Sequence, residues 1–173
     1  MNSDRIHLVY AHGFASGPGS AKAALLRAHL GDRLAGCRVP RLDGGDFRHM
    51  TMATLAEHLL AAVDAVDDDG VPVLLAGSSL GGYLAAWLAA AGRLPRVAGF
   101  LLIAPAFAFA RRWQAMLGEA AIDAWRRRGE RTFYHHAEER ELPLAVDFLD
   151  SCLGVPDYPS VDPRPTAVVH GWR

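Results

Sequence analysis

Two cysteines, Cys37 and Cys152, are all that the 173 residues contain, too few for a disulfide framework, and neither has the close Cys or His companions of a zinc site. They read as small core residues in a reducing compartment. An excess of charge of either sign is also lacking. The formal net charge of −1 comes from 18 basic and 19 acidic side chains spread along the chain, which leaves no basic face to release counterions from a polyanion. Nucleic acid is therefore not an expected partner. Long apolar runs are missing too. No stretch approaches the roughly 20 apolar residues that a bilayer span needs, and the opening Met-Asn-Ser-Asp-Arg-Ile-His lacks a basic region followed by an apolar one. No membrane partner is expected, and the reading is a cytoplasmic protein. His7, His29, His49 and His58 are scattered without metal-ligand spacing, so no metal and no cofactor is expected. Internal repeats, low-complexity tracts and flexible linkers are absent from the sequence.

What is abundant is apolar side chains, 51% of the chain, enough for one well-filled core and short for two. A single domain over residues 1–173 is the expectation. Residues 6–11 form a short apolar run ending in His12-Gly13, bounded as a buried strand is. A helix over 21–30 with Ser20 as N-cap and a strand over 37–42 complete one β-α-β unit. Residues 51–66 keep helical spacing through Met52, Leu55, Leu59, Val63 and Val66, with Thr54 and Glu57 as a capping box. Asp67-Asp68-Asp69 at its end opposes the helix dipole and is expected to be solvated. Strands are expected over 71–76, 97–104 and 166–170, and a third helix from Leu80. This alternation implies an α/β class: a mostly parallel, doubly wound sheet with helices on both faces. Residues 106–165 are too long for one crossover and read as a helical cap insertion before the last strand, with helices around 116–128 and 142–153.

The chemistry concentrates in Gly77-Ser78-Ser79-Leu80-Gly81-Gly82, which follows a buried strand and opens a helix directly. The pattern G-x-S-x-G alone recurs by chance; this placement is what makes it informative, because a sharp strand-to-helix turn lifts the serine hydroxyl above the sheet edge. Gly77 and Gly81 are the flanking positions where a Cβ would collide, which selects Ser79 over Ser78 as the nucleophile. The backbone amide of Leu80 lies at the helix N-terminus, where it points at an oxyanion.

Together, Tyr-Ala-His-Gly-Phe at 10–14, Leu-Leu-Ala-Gly-Ser-Ser-Leu-Gly-Gly-Tyr at 74–83, the insertion, and Val-Val-His-Gly-Trp-Arg at 168–173 resemble the small bacterial esterase-like members of the α/β-hydrolase superfamily. The resemblance runs over nearly the whole chain. It implies a local strand order 2-1-3-4-5, a crevice at the carboxyl ends of the strands, and an oxyanion loop in which His12 and Gly13 shape the turn and Phe14 supplies the second amide. The expected activity is hydrolysis of a small-molecule carboxylic ester, or a thioester, through an acyl-enzyme on Ser79. The acyl pocket is expected to be lined by Trp113, Trp125, Phe133 and Phe148.

The superfamily order of Ser, then acid, then His is not completed within the chain, and Ala104-Pro105-Ala106-Phe107-Ala108 carries no carboxylate after the preceding strand. The expectation is that the C-terminal part is missing, with the acid soon after Arg173 and the histidine further on. His135 and His136, with Asp147 and Asp150, are the substitutes available within the insertion. His170 reads as part of its own His-Gly turn, and Arg111-Arg112, Arg126-Arg127-Arg128 and Arg131 as solvated faces. Two other readings stand beside the hydrolase. One is a non-catalytic protein of the same fold that binds a small ligand or a partner in the crevice. The other is a phosphate cradle at Gly77–Gly82, which lacks both a lysine and a G-x-G-x-x-G pattern.

Overall fold

In the computed structural model, which describes residues 5–160 and 162–171, strand and helix alternate from the first element. The order is β1 (Ile6–Ala11), α1 (Ala21–Leu30), β2 (Leu34–Arg38), α2 (Met52–Asp64), β3 (Val73–Ser78), α3 (Leu80–Ala90) and β4 (Val97–Ile103). An insertion follows with α4 (Phe109–Leu117), α5 (Glu119–Arg128), β5 (Glu130–His135), β6 (Arg140–Ala145) and α6 (Asp147–Leu153), before β7 (Thr166–Val169). The main sheet runs β2-β1-β3-β4-β7, parallel throughout, so the α/β class and the 2-1-3-4-5 order hold.

Strand periodicity sorts the core between the two faces. Val9, Ala11, Leu75, Phe100 and Leu102 pack with α2, α3 and the insertion. Leu8, Tyr10 and Ala76 point the other way, against Ala23, Leu26 and Leu30 of α1. Helices therefore cover both sides of the sheet.

Several boundaries move for identifiable reasons. The second strand spans Leu34–Arg38 rather than 37–42, because β1 pairs Ile6 with Leu34 and Val9 with Arg38, and Pro40 then removes an N–H from any longer ladder. The third strand is displaced in the same way: His7 of β1 pairs with Val73 and Ala11 with Gly77, which carries it up to Ser78. Helix α2 is capped by Thr51 and not by Thr54 with Glu57. The Thr51 hydroxyl accepts from the Thr54 N–H at 3.2 Å, and the Thr54 hydroxyl accepts from the Thr51 N–H at 2.9 Å. Ser20 precedes α1 but its side chain makes no cap bond.

The insertion is not purely helical, and this is the largest departure from expectation. The helix expected over 116–128 breaks at Gly118, φ +80°, into α4 and α5. Residues 130–145 form an antiparallel hairpin in which Glu130 pairs with Ala145 and His135 with Arg140. Only Asp147–Leu153 of the second expected helix is helical. The Trp125 indole N–H donates to Leu144 O at 3.0 Å and ties α5 to β6. Trp172 and Arg173, which close the last His-Gly motif and precede the expected acid, lie outside the described residues.

Candidate active site

Ser79 follows β3 immediately and precedes the first residue of α3, with φ +51° and ψ −119°. For a residue with a Cβ such a backbone costs about 1–3 kcal/mol and persists only where the surroundings enforce it. Here they do. The Ser79 N–H donates to Ile103 O of β4 at 3.0 Å, and its carbonyl accepts from Tyr83 and Ala106, both at 3.0 Å. A Cβ on Gly77 would lie 2.6 Å from Gly81 O, and one on Gly81 would run into the carbonyl oxygens of Ala11 and His12. The two glycines thus let α3 pack onto the ends of β1 and β3. The outcome separates the two serines: Ser78 is buried and Ser79 is exposed.

The loop after β1 lies beside that hydroxyl, since a Cβ placed on Gly13 would be 3.4 Å from Ser79 Cβ and 4.0 Å from Oγ. His12 is 3% exposed, and its Nδ1–H donates to Gly13 O at 3.0 Å while Nε2 accepts from the Leu42 N–H at 3.3 Å. Both ring nitrogens are occupied in shaping the loop, and burial holds the imidazole below its ordinary pKa, so it is neutral near pH 7. The N–H groups of Phe14 and Leu80 donate to no acceptor among the described residues. Leu80 follows Ser79 directly, and Phe14 follows Gly13, whose backbone passes close to the Ser79 side chain.

Ser79 opens on a cavity of about 460 Å³ whose walls include Pro105, Phe107, Phe109, Trp113 and Met116, with Arg112 and His170 at its border. Trp113, one of the four residues expected at an acyl pocket, is among these walls. Trp125, Phe133 and Phe148 are not among the lining residues. Phe148 packs 5.8 Å from the Phe14 ring, Phe133 stacks on Trp113 at 4.9 Å, and Trp125 lies behind both. Trp125 and Phe148 are buried in the core and Phe133 packs against it partly buried, so these three serve packing and do not line the cavity. Phe107, Phe109 and Met116 do the lining instead; an apolar segment leading directly out of β4 was the available signal.

His170 borders this cavity, although its place in a His-Gly turn made it a poor candidate. Its Nδ1–H donates to Gly171 O at 2.9 Å, the same turn bond that His12 makes. Among the described residues no histidine is hydrogen-bonded to Ser79 Oγ. His135 is buried against Phe47 and Asp43, His136 is exposed, and Asp150 pairs with Arg126 at 2.7 Å. No group of three potential metal ligands occurs among the described residues, and none of their helices is long and apolar enough to cross a membrane.

The same architecture recurs in solved structures. The chain is similar to Est1E from Butyrivibrio proteoclasticus, in a structure with ferulic acid bound, at 20% identity and a TM-score of 0.75, covering 98% of this chain and 70% of that one. A putative hydrolase from Agrobacterium vitis S4 gives 21% and 0.70 over 97% and 80%. The mouse alpha/beta hydrolase domain-containing protein 10 gives 22% and 0.69 over 95% and 68%. These likenesses establish the α/β-hydrolase fold. The model of the uncharacterised protein family UPF0227 matches residues 7–165, and the chain belongs to that family.

Proposed function

We propose that the protein is a serine hydrolase that cleaves a small carboxylic ester, or a thioester, through an acyl-enzyme on Ser79. The observation that carries this reading is the exposed Ser79 hydroxyl at φ +51°, on the turn from β3 to α3 and opening on an apolar cavity. Ser79 Oγ attacks the acyl carbon and its proton passes to a base; the oxyanion is held by the N–H groups of Phe14 and Leu80. The alcohol or thiol leaves, and water completes turnover. The aromatic walls favour an apolar acyl group, with Trp113 as the pocket residue shared with the sequence reading.

The second reading, a non-catalytic protein binding a small ligand in the same crevice, is favoured by one observation: no histidine bonds to Ser79 among the described residues. Turnover of a short-chain aryl ester by the full chain separates the two. Ser79→Ala is expected to abolish it, by about 10³-fold or more, whereas Ser78→Ala keeps a substantial part. Equal losses in both variants would remove Ser79 from its role.

A further inference from the structure

The loop carrying Phe14 is held from the insertion side at three separate points. His136 N–H, at the end of β5, donates to Ala15 O at 2.8 Å. Ala15 itself sits at φ +51°, a conformation that an alanine keeps only under external constraint. The Phe14 ring is surrounded by Trp113 at 4.9 Å, Phe133 at 5.5 Å and Phe148 at 5.8 Å, all contributed by the insertion.

The third point is polar and buried. His135 Nδ1 accepts from the Glu138 N–H at 3.2 Å, so in the neutral ring the proton is on Nε2. That N–H faces Asp43 Oδ2 at 3.8 Å, with both side chains 5% exposed or less. Oδ1 of Asp43 already accepts from Arg41 Nε and Gly45 N, while Oδ2 has no hydrogen-bond partner among the described residues. Leu42, adjacent to Asp43, gives its N–H to His12 Nε2. A continuous chain of contacts therefore runs from the hairpin through His135, Asp43, Leu42 and His12 to the turn that precedes Phe14. Arg41 also reaches across to Glu138 at 2.8 Å.

We propose that the β5–β6 hairpin is the positioning element for the Phe14 N–H of the Ser79 site, and that His135 is its positioning residue, rests on the proposed hydrolase reading and acts without touching substrate. An oxyanion donor works only within a few tenths of an ångström of its place, so an element that fixes Phe14 acts on the chemical step and not on substrate affinity. The hairpin is thus part of the rate-setting machinery although none of its residues lines the cavity.

The test compares His135→Leu, which keeps bulk but leaves Asp43 Oδ2 facing an apolar group, with His135→Gln, whose amide can accept from Glu138 N–H and donate to Asp43. In the full chain, His135→Leu is expected to lower kcat on an aryl ester about tenfold with KM nearly unchanged, and His135→Gln to restore most of it. Amide exchange at His136, which needs no turnover, is expected to quicken in His135→Leu and to return toward the wild-type rate in His135→Gln, with α3 unaffected in both. Unchanged kcat and unchanged His136 exchange in His135→Leu would overturn the proposal. So would equal loss in both variants, which would mark His135 as a proton carrier, or a rise in KM alone, which would mark a substrate contact. A wild-type chain without ester turnover would remove the hydrolase reading and leave the hairpin's hold on the loop to be judged by exchange.

Discussion

Ser79 and Ala15 both hold φ at +51° although neither is glycine, and Ala104, at +43°, lines the same cavity as Ser79. Strain of this kind is kept where packing over-determines the backbone, and two of these residues, Ser79 and Ala104, meet at the cavity. Ser79 and its glycines were legible in the sequence because their constraint is local: a strand, one turn and a helix within a few residues. His135 and Asp43 were not, since they are far apart in the chain and meet only after the hairpin folds onto the loop. Their environment has a consequence in pH. Burial lowers the pKa of both His12 and His135 from the ordinary 6.5. The unfolded chain therefore binds more protons than the folded one below that value, and stability falls as pH drops from 6.5 toward the folded pKa values. Asp46, Asp69 and Asp162, lowered from 3.8 by their hydrogen bonds, contribute only at a more acid pH. Urea midpoints are expected to decline already between about pH 7 and about pH 5, and less so in His12→Gln. A midpoint constant down to the carboxylate range would contradict neutral burial of these rings.

Elements show the same division between local and distant causes. The start of α2 rests on Thr51 and Thr54, three residues apart, so a capping box was foreseeable even though its register was misplaced. Its end depends on Arg96, which donates to the carbonyls of Asp64 and Val66 at 2.9 Å and places a cation at the negative end of the helix. This contact offsets Asp67-Asp68-Asp69 and joins α2 to the start of β4, and no pattern in either segment announces it. Arg96→Ala is expected to destabilise the chain by about 1–2 kcal/mol in urea unfolding, without changing ester turnover. No change in stability would show that solvent satisfies those carbonyls equally well. The β5–β6 hairpin was missed for a related reason. Its strands are bounded by no two-residue turn signal, Pro143 interrupts the propensity of β6, and the pairing is stabilised by Trp125 and Phe14 from other elements.

At the scale of the molecule, the insertion and the main sheet share one core: Trp113, Trp125, Leu144 and Phe148 belong to the same buried cluster as Val9, Leu75 and Leu84. A single cooperative unfolding transition is expected, with no separable cap. Replacing Trp87 and Trp172 by Phe leaves the two insertion tryptophans as fluorescent reporters. Their unfolding curve is expected to coincide with that of far-UV circular dichroism, and an earlier fluorescence transition would make the insertion a unit of its own. The shared core also bears on the site, because the strands that raise Ser79 and the insertion that surrounds Phe14 then stand in fixed relation. The proposed hydrolase requires an activated Ser79. Intact-mass analysis of the full chain after treatment with a fluorophosphonate tests it most directly, since only an activated serine reacts covalently. One adduct per chain, mapped to Ser79 and absent from Ser79→Ala, is the predicted result; an unlabelled wild-type chain, or an adduct that survives in Ser79→Ala, would contradict it.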